Sequence, residues 1–185
     1  ILEKIERQAF RASRLVGSLL DIARGRPRDL VPLDPKEIAR EAARSIDDDV
    51  RARGVSFRLE LDNSAPRFVG HADALVQVLM NLVKNALDAV ADQPDGRVWV
   101  STELVRSEQG HARAVRLAVR DNGPGFSDKV LKRAFEPYVT TKSRGTGLGL
   151  AVVKKIADEH GARVRVGNLR DEAAPPGTAD AAAQQ

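Results

Sequence analysis

The chain has 185 residues, 42% of them hydrophobic and 30% charged, which fits one soluble folded domain with an appendage. The absence of cysteine excludes a disulfide framework and a thiolate metal site, and it fits a reducing compartment such as the cytoplasm. The net charge of +4 comes with scattered arginines and only 4% aromatic residues, so we expect no nucleic-acid partner. No apolar run is long enough to cross a bilayer, so we expect no membrane contact either.

An amphipathic helix is predicted over residues 2–24. Its apolar residues recur at steps of three and four, the heptad spacing of helices that pair: Leu2, Ile5, Ala9, Ala12, Val16, Leu19 and Ala23. The alternative is a helix that packs on its own domain. Because the proline-containing residues 25–34 separate this helix from the remainder of the chain, we favour pairing with another helix.

A second helix is predicted to begin at Asp34, which can act as its N-cap. Pro35 then takes the first helical position, and Glu37 stands where a capping box places its acid. We expect this helix to run to about Arg53 and to stop at Gly54.

Beyond Gly54 the chain alternates helices with strands. A helix over residues 72–91 would bury one apolar side, made of Leu75, Val78, Leu79, Leu82, Ala86 and Val90. The other predicted elements are strands over 55–61, 98–105, 114–120 and 163–166, a short helix near 127–134 and a helix over 148–160. This order predicts an α+β fold with one sheet and its helices layered on one face.

Polar side chains interrupt the apolar helix predicted over residues 72–91. Asn81, Asn85 and Asp88 are spaced four and three apart, so they line one stripe opposite the apolar face. Carboxamide oxygens are hard ligands that suit Mg²⁺, and Lys84 nearby could contact phosphate. An ordinary solvated face explains the stripe equally well when the helix is taken alone.

A carboxylate stands at the end of the strand predicted over residues 114–120. Asp121 could accept a hydrogen bond from an exocyclic amine, while Gly123 and Gly125 let a planar ring lie close to the backbone. The alternative is a plain Asp-Asn-Gly turn, which is common.

A second glycine-rich segment, residues 145–150 (Gly-Thr-Gly-Leu-Gly-Leu), leads into the helix predicted over 148–160. The free amide groups of a helix start favour phosphate there. The segment is neither a dinucleotide fingerprint, since no strand precedes it, nor a Walker loop, since no Gly-Lys-Ser/Thr ends it. The segment before it, residues 135–142, has mixed polarity and is interpreted as a mobile lid hinged on glycines.

The order of these four motifs resembles the histidine kinase branch of the ATPase family shared with gyrase, the Hsp90 chaperones and the MutL repair proteins. Residues 81–86 are similar to its N box, residues 121–125 to its first glycine box, residues 135–142 to its F box and residues 145–150 to its second glycine box. The sequence of the F box, Phe-Glu-Pro-Tyr-Val-Thr-Thr-Lys, looks most like that of the nitrogen-regulation class of sensor kinases. The resemblance implies a two-layer α/β sandwich, the Bergerat-type ATP-binding fold.

The resemblance also implies a role for each matched residue. Asn85 is the expected Mg²⁺ ligand with Asn81 beside it, and together with Lys84 they are the candidate catalytic residues. Asp121 would bond the adenine amino group of ATP. The other expected nucleotide contacts are Gly123, Gly125, Lys142, Gly145, Thr146, Gly147, Leu148 and Gly149.

The implied reaction is transfer of the γ-phosphoryl group of ATP to a histidine, mainly by positioning and charge neutralisation. The implied partners are the histidine-bearing dimerisation helix of the same kinase, a response regulator and a second copy in a full-length homodimer. We therefore expect a partial dimerisation helix over residues 1–24, a linker over 25–34, the catalytic ATP-binding domain over 35–169 and a disordered tail over 170–185.

Two features of the family are not matched. Its phosphoacceptor is a histidine followed by an acidic residue on a long helix, a setting that His71, His111 and His160 all lack. We therefore expect no self-phosphorylation by this chain. The closing apolar strand that comes after Gly-Thr in the family is also absent, because Gly177 and Thr178 lead into Ala-Asp-Ala-Ala-Ala-Gln-Gln.

Two other functions remain open at this point. ATP-hydrolysing members of the superfamily carry a glutamate base four residues before the metal-binding asparagine. Here that residue is Asn81, which cannot take a proton from water. A non-catalytic nucleotide-binding module is the second alternative, and a binding assay is needed to test it.

Overall fold

The computed structural model describes residues 30–140, 142 and 145–169, so the helix predicted over 2–24, most of the linker and the tail from residue 170 lie outside the described residues. No helix in the described ranges is both long and apolar enough to cross a membrane. In chain order the elements are β1 Val31–Leu33, α1 Pro35–Arg44, α2 Asp47–Arg53, β2 Ser56–Leu61, β3 Phe68–Gly70, α3 Ala72–Ala89, β4 Arg97–Arg106, β5 Ala112–Asp121, α4 Asp128–Leu131 and α5 Gly149–Glu159.

The strands form a mixed three-stranded sheet and a separate two-stranded sheet. β2 runs parallel to β4, and β4 runs antiparallel to β5, in the order β2-β4-β5. β1 and β3 pair antiparallel. The mixed sheet with its helices confirms the predicted fold class, although the described strands form two sheets rather than one. The sequence does not predict β1 and β3, because three residues are too few to show an alternating pattern.

One face of the three-stranded sheet packs against α1 and α3. The register places Phe57, Val98 and Asp121 in one row across this face, since alternate residues of a strand point to the same side. Val98 and Val100 are fully buried there. The helices contribute Ile38, Ala39 and Ala42 from α1 and Leu79, Val83 and Leu87 from α3 to the same core. Asp121 therefore ends β5 on the side of the sheet that faces the helices.

The opposite face of the sheet carries charged side chains. Glu103 pairs with Arg116 and with Arg120, each across 3.2 Å. Charged residues on one face and a helix-covered core on the other are what the alternation along β4 and β5 predicts.

The cap at the start of α1 agrees with the prediction. Asp34 Oδ1 accepts a hydrogen bond from the Lys36 N–H at 2.9 Å, and Pro35 is the first helical residue. The capping box is incomplete, because the Glu37 carboxylate pairs with Arg40 at 2.5 Å instead of accepting a hydrogen bond from the Asp34 N–H.

The helix predicted to run from Asp34 to Arg53 is interrupted in the structure. α1 ends at Arg44 and α2 begins at Asp47. Between them Ser45 Oγ donates a hydrogen bond to the Glu41 carbonyl oxygen at 3.0 Å, and such a bond lets a serine compete with the helical backbone. α2 stops as predicted at Gly54, which has a left-handed φ of 63°.

Helix α3 ends at Ala89, two residues short of the predicted end, and its buried side is rotated. Val83 and Leu87 are buried, whereas Val78 and Leu82 are only partly buried. The reason is that α3 packs against α1 and the sheet on one side and against α5 on another, so no single stripe accounts for all its apolar residues.

The strand predicted over residues 163–166 does not form in the described part of the chain. A strand needs a neighbour for its backbone hydrogen bonds, and residues 162–168 have no strand partner among the described residues. Asn168 instead joins this segment to Phe126. α4 is shorter than the predicted 127–134, and α5 lies within the predicted 148–160.

Candidate nucleotide and metal site

Helix α3 carries the predicted polar stripe on the side turned away from the sheet. Asn81 and Asn85 are half-buried, and the Asp88 side chain is 40% exposed. Asn81 Oδ1 accepts a hydrogen bond from Gln77 Nε2 at 3.3 Å, which orients its carboxamide. The partial burial of both asparagines favours a built site over an ordinary solvated face.

The Lys142 ammonium contacts this stripe. Lys142 Nζ donates hydrogen bonds to Asp88 Oδ2 at 2.9 Å and to Asn85 Oδ1 at 3.3 Å. On the other side, Arg53 donates to Asp88 Oδ1 at 2.9 Å. Burial opposes ionisation of Asp88, but the hydrogen bonds and charges of Lys142 and Arg53 outweigh it and hold the pKa of Asp88 below its ordinary value. Asp88 is therefore an ionised carboxylate with two cationic partners.

Asp121, at the end of β5, faces the same helix. Its Oδ1 accepts a hydrogen bond from the Gly123 N–H at 2.9 Å. Burial raises the pKa of Asp121, while the Gly123 hydrogen bond and the charge of Lys142 act in the opposite direction. Gly123 lies against the end of α3, because a Cβ added to it would stand 2.9 Å from the Ala89 Cβ. The carboxylate predicted to bind adenine and the α3 stripe thus share one region of the molecule.

The residue that follows the first glycine box, Phe126, is held by a side chain that the sequence did not predict to be there. Asn168 Oδ1 accepts a hydrogen bond from the Phe126 N–H, and Asn168 Nδ2 donates to the Phe126 carbonyl oxygen, both at 2.8 Å. The preceding Gly125 has a φ of 76° and lies beside this amide. A lone asparagine 42 residues away carries no sequence signal for such a contact.

The second glycine box packs directly against the F box. The Tyr138 N–H donates to the Gly147 carbonyl oxygen at 2.9 Å, and the Gly145 N–H donates to the Lys142 carbonyl oxygen at 3.1 Å. Gly147 has a φ of 68°, and a Cβ there would stand 2.5 Å from the Tyr138 carbonyl carbon. Only glycine fits this position, both for its backbone conformation and for the space around it.

The start of α5 brings backbone amides next to the α3 stripe. Gly149 is the first residue of α5, and a Cβ there would lie 3.7 Å from Asn85 Nδ2. Just before it, Leu148 is buried, and its N–H donates to Thr146 Oγ1 at 3.4 Å. A helix start beside an amide and a lysine is a suitable place for an anion.

Not every predicted residue joins this group. Lys84 is exposed on α3, and within the described ranges its ammonium has no hydrogen bond or ion pair. Instead, Asp88 contacts both Lys142 and Arg53, although neither Asp88 nor Arg53 was predicted as a site residue. The spacing of Asp88 on the stripe was its one sequence signal. Arg53 had none, because 35 residues separate it from Asp88.

The oxygen atoms of the stripe suit a hard divalent cation. Mg²⁺ prefers carboxamide and carboxylate oxygens, which Asn81, Asn85 and Asp88 supply. Asn85 Oδ1 and Asp88 Oδ2 also converge on one cation already, the Lys142 ammonium. The chemistry of this donor set therefore fits Mg²⁺.

Known proteins are similar to this chain over the part that carries these motifs. The profile of the family described as histidine kinase-, DNA gyrase B-, and HSP90-like ATPase matches residues 70–180. The chain is 39% identical over 118 residues to the sensory histidine kinase/phosphatase NtrB of Rhizobium leguminosarum bv. phaseoli, covering 60% of this chain and 31% of that protein. It is 36% identical over 169 residues to the sensor histidine kinase ZraS of Klebsiella oxytoca, covering 91% and 34%. The chain thus spans roughly a third of the length of these curated relatives.

Solved structures agree with the sequence matches. The nucleotide-free catalytic domain of histidine kinase ThkA is 31% identical, with a TM-score of 0.62, over 72% of this chain and 84% of that chain. Histidine kinase ThkA in complex with the response regulator TrrA is 25% identical, with a TM-score of 0.67, over 85% and 43%. The resemblance drawn from the four motifs is confirmed by these matches. The chain belongs to the family of histidine kinase-, DNA gyrase B- and HSP90-like ATPases, and its relatives there are sensor histidine kinases.

Proposed function

We propose that this chain is the ATP-binding catalytic domain of a sensor histidine kinase, which transfers the γ-phosphoryl group of ATP to a histidine on a dimerisation helix. The observation that carries the proposal is the meeting of three features in one region: Asp121 at the end of β5, the polar stripe of α3 and the glycine-rich start of α5. The similarity to NtrB and ZraS supports it.

Asp121 is the residue we assign to the base of the nucleotide. Its carboxylate accepts a hydrogen bond from the exocyclic amino group of adenine, while its own orientation is held by the Gly123 N–H. Gly123 and Gly125 shape the base pocket, because the lack of side chains lets this loop pack closely against Ala89 and Asn168.

The phosphates belong at the other end of the site. The amides at the start of α5, at Gly147 and Gly149, would face the phosphate oxygens, and Lys142 would add a positive charge. The Gly145 N–H donates to the Lys142 carbonyl oxygen and so joins the F box to this segment. Asn85, with Asn81 beside it, would hold Mg²⁺, which supplies neutralisation of the phosphate charge when bound. The contribution of the protein is to orient the γ-phosphate toward an incoming nucleophile.

The α3 stripe favours transfer to a protein side chain over hydrolysis. A water molecule needs a base to remove its proton, and the carboxamide of Asn81 cannot serve as one. Because Gln77 already donates to the Asn81 oxygen, this side chain is oriented rather than reactive.

The phosphoacceptor histidine would come from another segment. His71 and His160 contact each other and are part of the helix packing, and His111 is exposed in a loop. We propose residues 1–24 as the partial dimerisation helix, 25–34 as the linker, 35–169 as the catalytic domain and 170–185 as a tail. The partners would be the histidine-bearing helix, a second copy of the kinase and a response regulator in the cytoplasm. The complex of ThkA with TrrA supports the last of these.

Transfer of radiolabel tests this function. The 185-residue chain is incubated with γ-labelled ATP alone, with a dimerisation domain of a related kinase that carries its histidine, and with the same domain after histidine-to-alanine substitution. We expect label only on the intact added domain, and slowly, because the covalent link that normally raises the effective concentration is missing. Label on the chain itself, or brisk ATP turnover without an acceptor, would instead point to an ATPase or a self-modifying kinase.

A further inference from the structure

One ammonium group already occupies the oxygen atoms that suit the metal. Lys142 Nζ lies 3.3 Å from Asn85 Oδ1 and 2.9 Å from Asp88 Oδ2. The two oxygens come from residues three apart on α3, so they converge on the same point beside the helix. Lys142 is 35% exposed at its side chain, which places this contact at the edge of the site and not in the core.

A lysine ammonium and a divalent cation cannot share this position. Both need the same oxygen atoms, and two cations within a few ångströms repel each other. Resting on the function proposed above, we propose that Lys142 is a placeholder cation at Asn85 and Asp88, which the metal displaces when the nucleotide binds.

The surroundings of Asp88 allow such an exchange. Arg53 donates to Asp88 Oδ1 at 2.9 Å, on the carboxylate oxygen that Lys142 does not use. When Lys142 leaves, Asp88 therefore keeps one cationic partner and its orientation, so its charge stays paired. Asp88 thus holds Lys142 in the absence of metal, and the same carboxylate oxygen is available to the metal once Lys142 has left.

Once released from Asn85 and Asp88, the Lys142 ammonium can bind phosphate oxygens in the same region. The Lys142 charge favours the ionised form of Asp121 as well as that of Asp88, so it acts on both carboxylates of the proposed nucleotide site. A nucleotide bound there would bring its phosphates close to this ammonium. The exchange moves one positive charge from protein oxygens to phosphate oxygens and brings in the metal in its place.

The test measures Mn²⁺ binding to the nucleotide-free 185-residue chain by the loss of the free Mn²⁺ signal in electron paramagnetic resonance. Mn²⁺ takes the same oxygen ligands as Mg²⁺. Lys142→Met should bind Mn²⁺ about fivefold to tenfold more tightly than the parent, the effect of removing one modest ion pair that competes with the metal. Lys142→Arg, which retains the charge, should behave like the parent. Adding Asp88→Asn to Lys142→Met should reverse the gain.

Equal Mn²⁺ affinity of Lys142→Met and the parent would overturn the exchange, and so would a gain in Lys142→Arg as large as in Lys142→Met. Lys129→Met on α4 is the matched control and should leave Mn²⁺ binding unchanged. Calorimetry with ADP and no metal tests the proposed function separately. If ADP does not bind to the parent, that function fails, while the Mn²⁺ comparison still decides whether Lys142 and the metal compete.

Discussion

His160 Nε2 accepts a hydrogen bond from the backbone N–H of His71 at 3.0 Å and so joins the end of α5 to the start of α3. His160 Nδ1 lies 2.7 Å from the Ile156 carbonyl oxygen, so Nδ1 carries the hydrogen and Nε2 is free to accept. The two imidazole rings meet edge to face, with centroids 5.2 Å apart. This contact holds the helix of the second glycine box against the helix of the polar stripe.

Loss of this acceptor should destabilise the fold. His160→Leu leaves the His71 N–H without its partner in a half-buried position, which should cost about 1–3 kcal/mol of the free energy of unfolding. Urea denaturation measures the loss. His111→Leu, in an exposed loop, is the matched control and should change stability by no more than about 0.5 kcal/mol. Equal stabilities of the two variants would show that the His71–His160 contact is not structural.

Asp121→Asn should weaken adenine nucleotides by about tenfold or more. The substitution removes the charge from the acceptor of the adenine hydrogen bond while it keeps the shape of the side chain. Calorimetry with ADP measures the affinity, and the melting temperature should not fall. Asp92→Asn, an exposed aspartate in a turn, should bind ADP like the parent. If Asp121→Asn bound ADP as tightly as the parent, Asp121 would not be the residue that binds the adenine base.

The raised pKa of Asp121 predicts a dependence of stability on pH. A carboxyl whose pKa is higher in the folded than in the unfolded state binds more protons when folded, so stability falls as pH rises through that interval. The interval begins at the unfolded value of about 3.9 and extends upward to the folded pKa. The free energy of unfolding of Asp121→Asn should therefore rise relative to the parent across it. If the free energies of unfolding of the nucleotide-free parent and Asp121→Asn changed with pH in parallel, the predicted loss of stability with rising pH would be contradicted.

Asn85→Ala should remove the effect of Mg²⁺ on ATP binding. The substitution deletes the carboxamide oxygen that we propose as a metal ligand, so the ratio of the Kd for ATP without Mg²⁺ to the Kd with Mg²⁺ should approach one. Fluorescence titration with a labelled ATP analogue, at both metal conditions, measures this ratio. Asn63→Ala in an exposed turn should keep the ratio of the parent. If Mg²⁺ strengthened ATP binding to Asn85→Ala as much as to the parent, the metal would have to be bound by other residues.

Gly147→Ala and Gly161→Ala separate backbone strain from crowding. Both glycines have a positive φ, 68° and 60°, but only Gly147 has backbone atoms of Tyr138 where the new Cβ would stand. Gly161→Ala should lower the free energy of unfolding by about 1–2 kcal/mol, because alanine is strained in the left-handed conformation. Gly147→Ala should cost roughly 2–5 kcal/mol, since Tyr138 must also shift. Denaturation curves of the two variants give the two losses of unfolding free energy. Equal losses would mean that Tyr138 can move away from the new Cβ at little energetic cost.

Local patterns in the sequence determined the helices, their caps and the identity of the four motifs. The Asp34 cap and the Gly54 stop were predicted and are present, because capping depends on hydrogen bonds between residues a few positions apart. The polar stripe of α3 could also be predicted, since the helical period alone places Asn81, Asn85 and Asp88 on one side. The break at Ser45 was missed because the rest of the segment has a continuous helical pattern.

Only the tertiary structure decided which of these residues meet. Lys142 lies 54 residues from Asp88 and Asn168 lies 42 from Phe126, and neither pair shows any pattern in the sequence. The apolar alternation at residues 163–166 predicted a strand, but a strand forms only when another strand offers its hydrogen bonds. Helices and caps are decided within a few residues of the chain, whereas strand pairing and ion pairs depend on how distant segments pack.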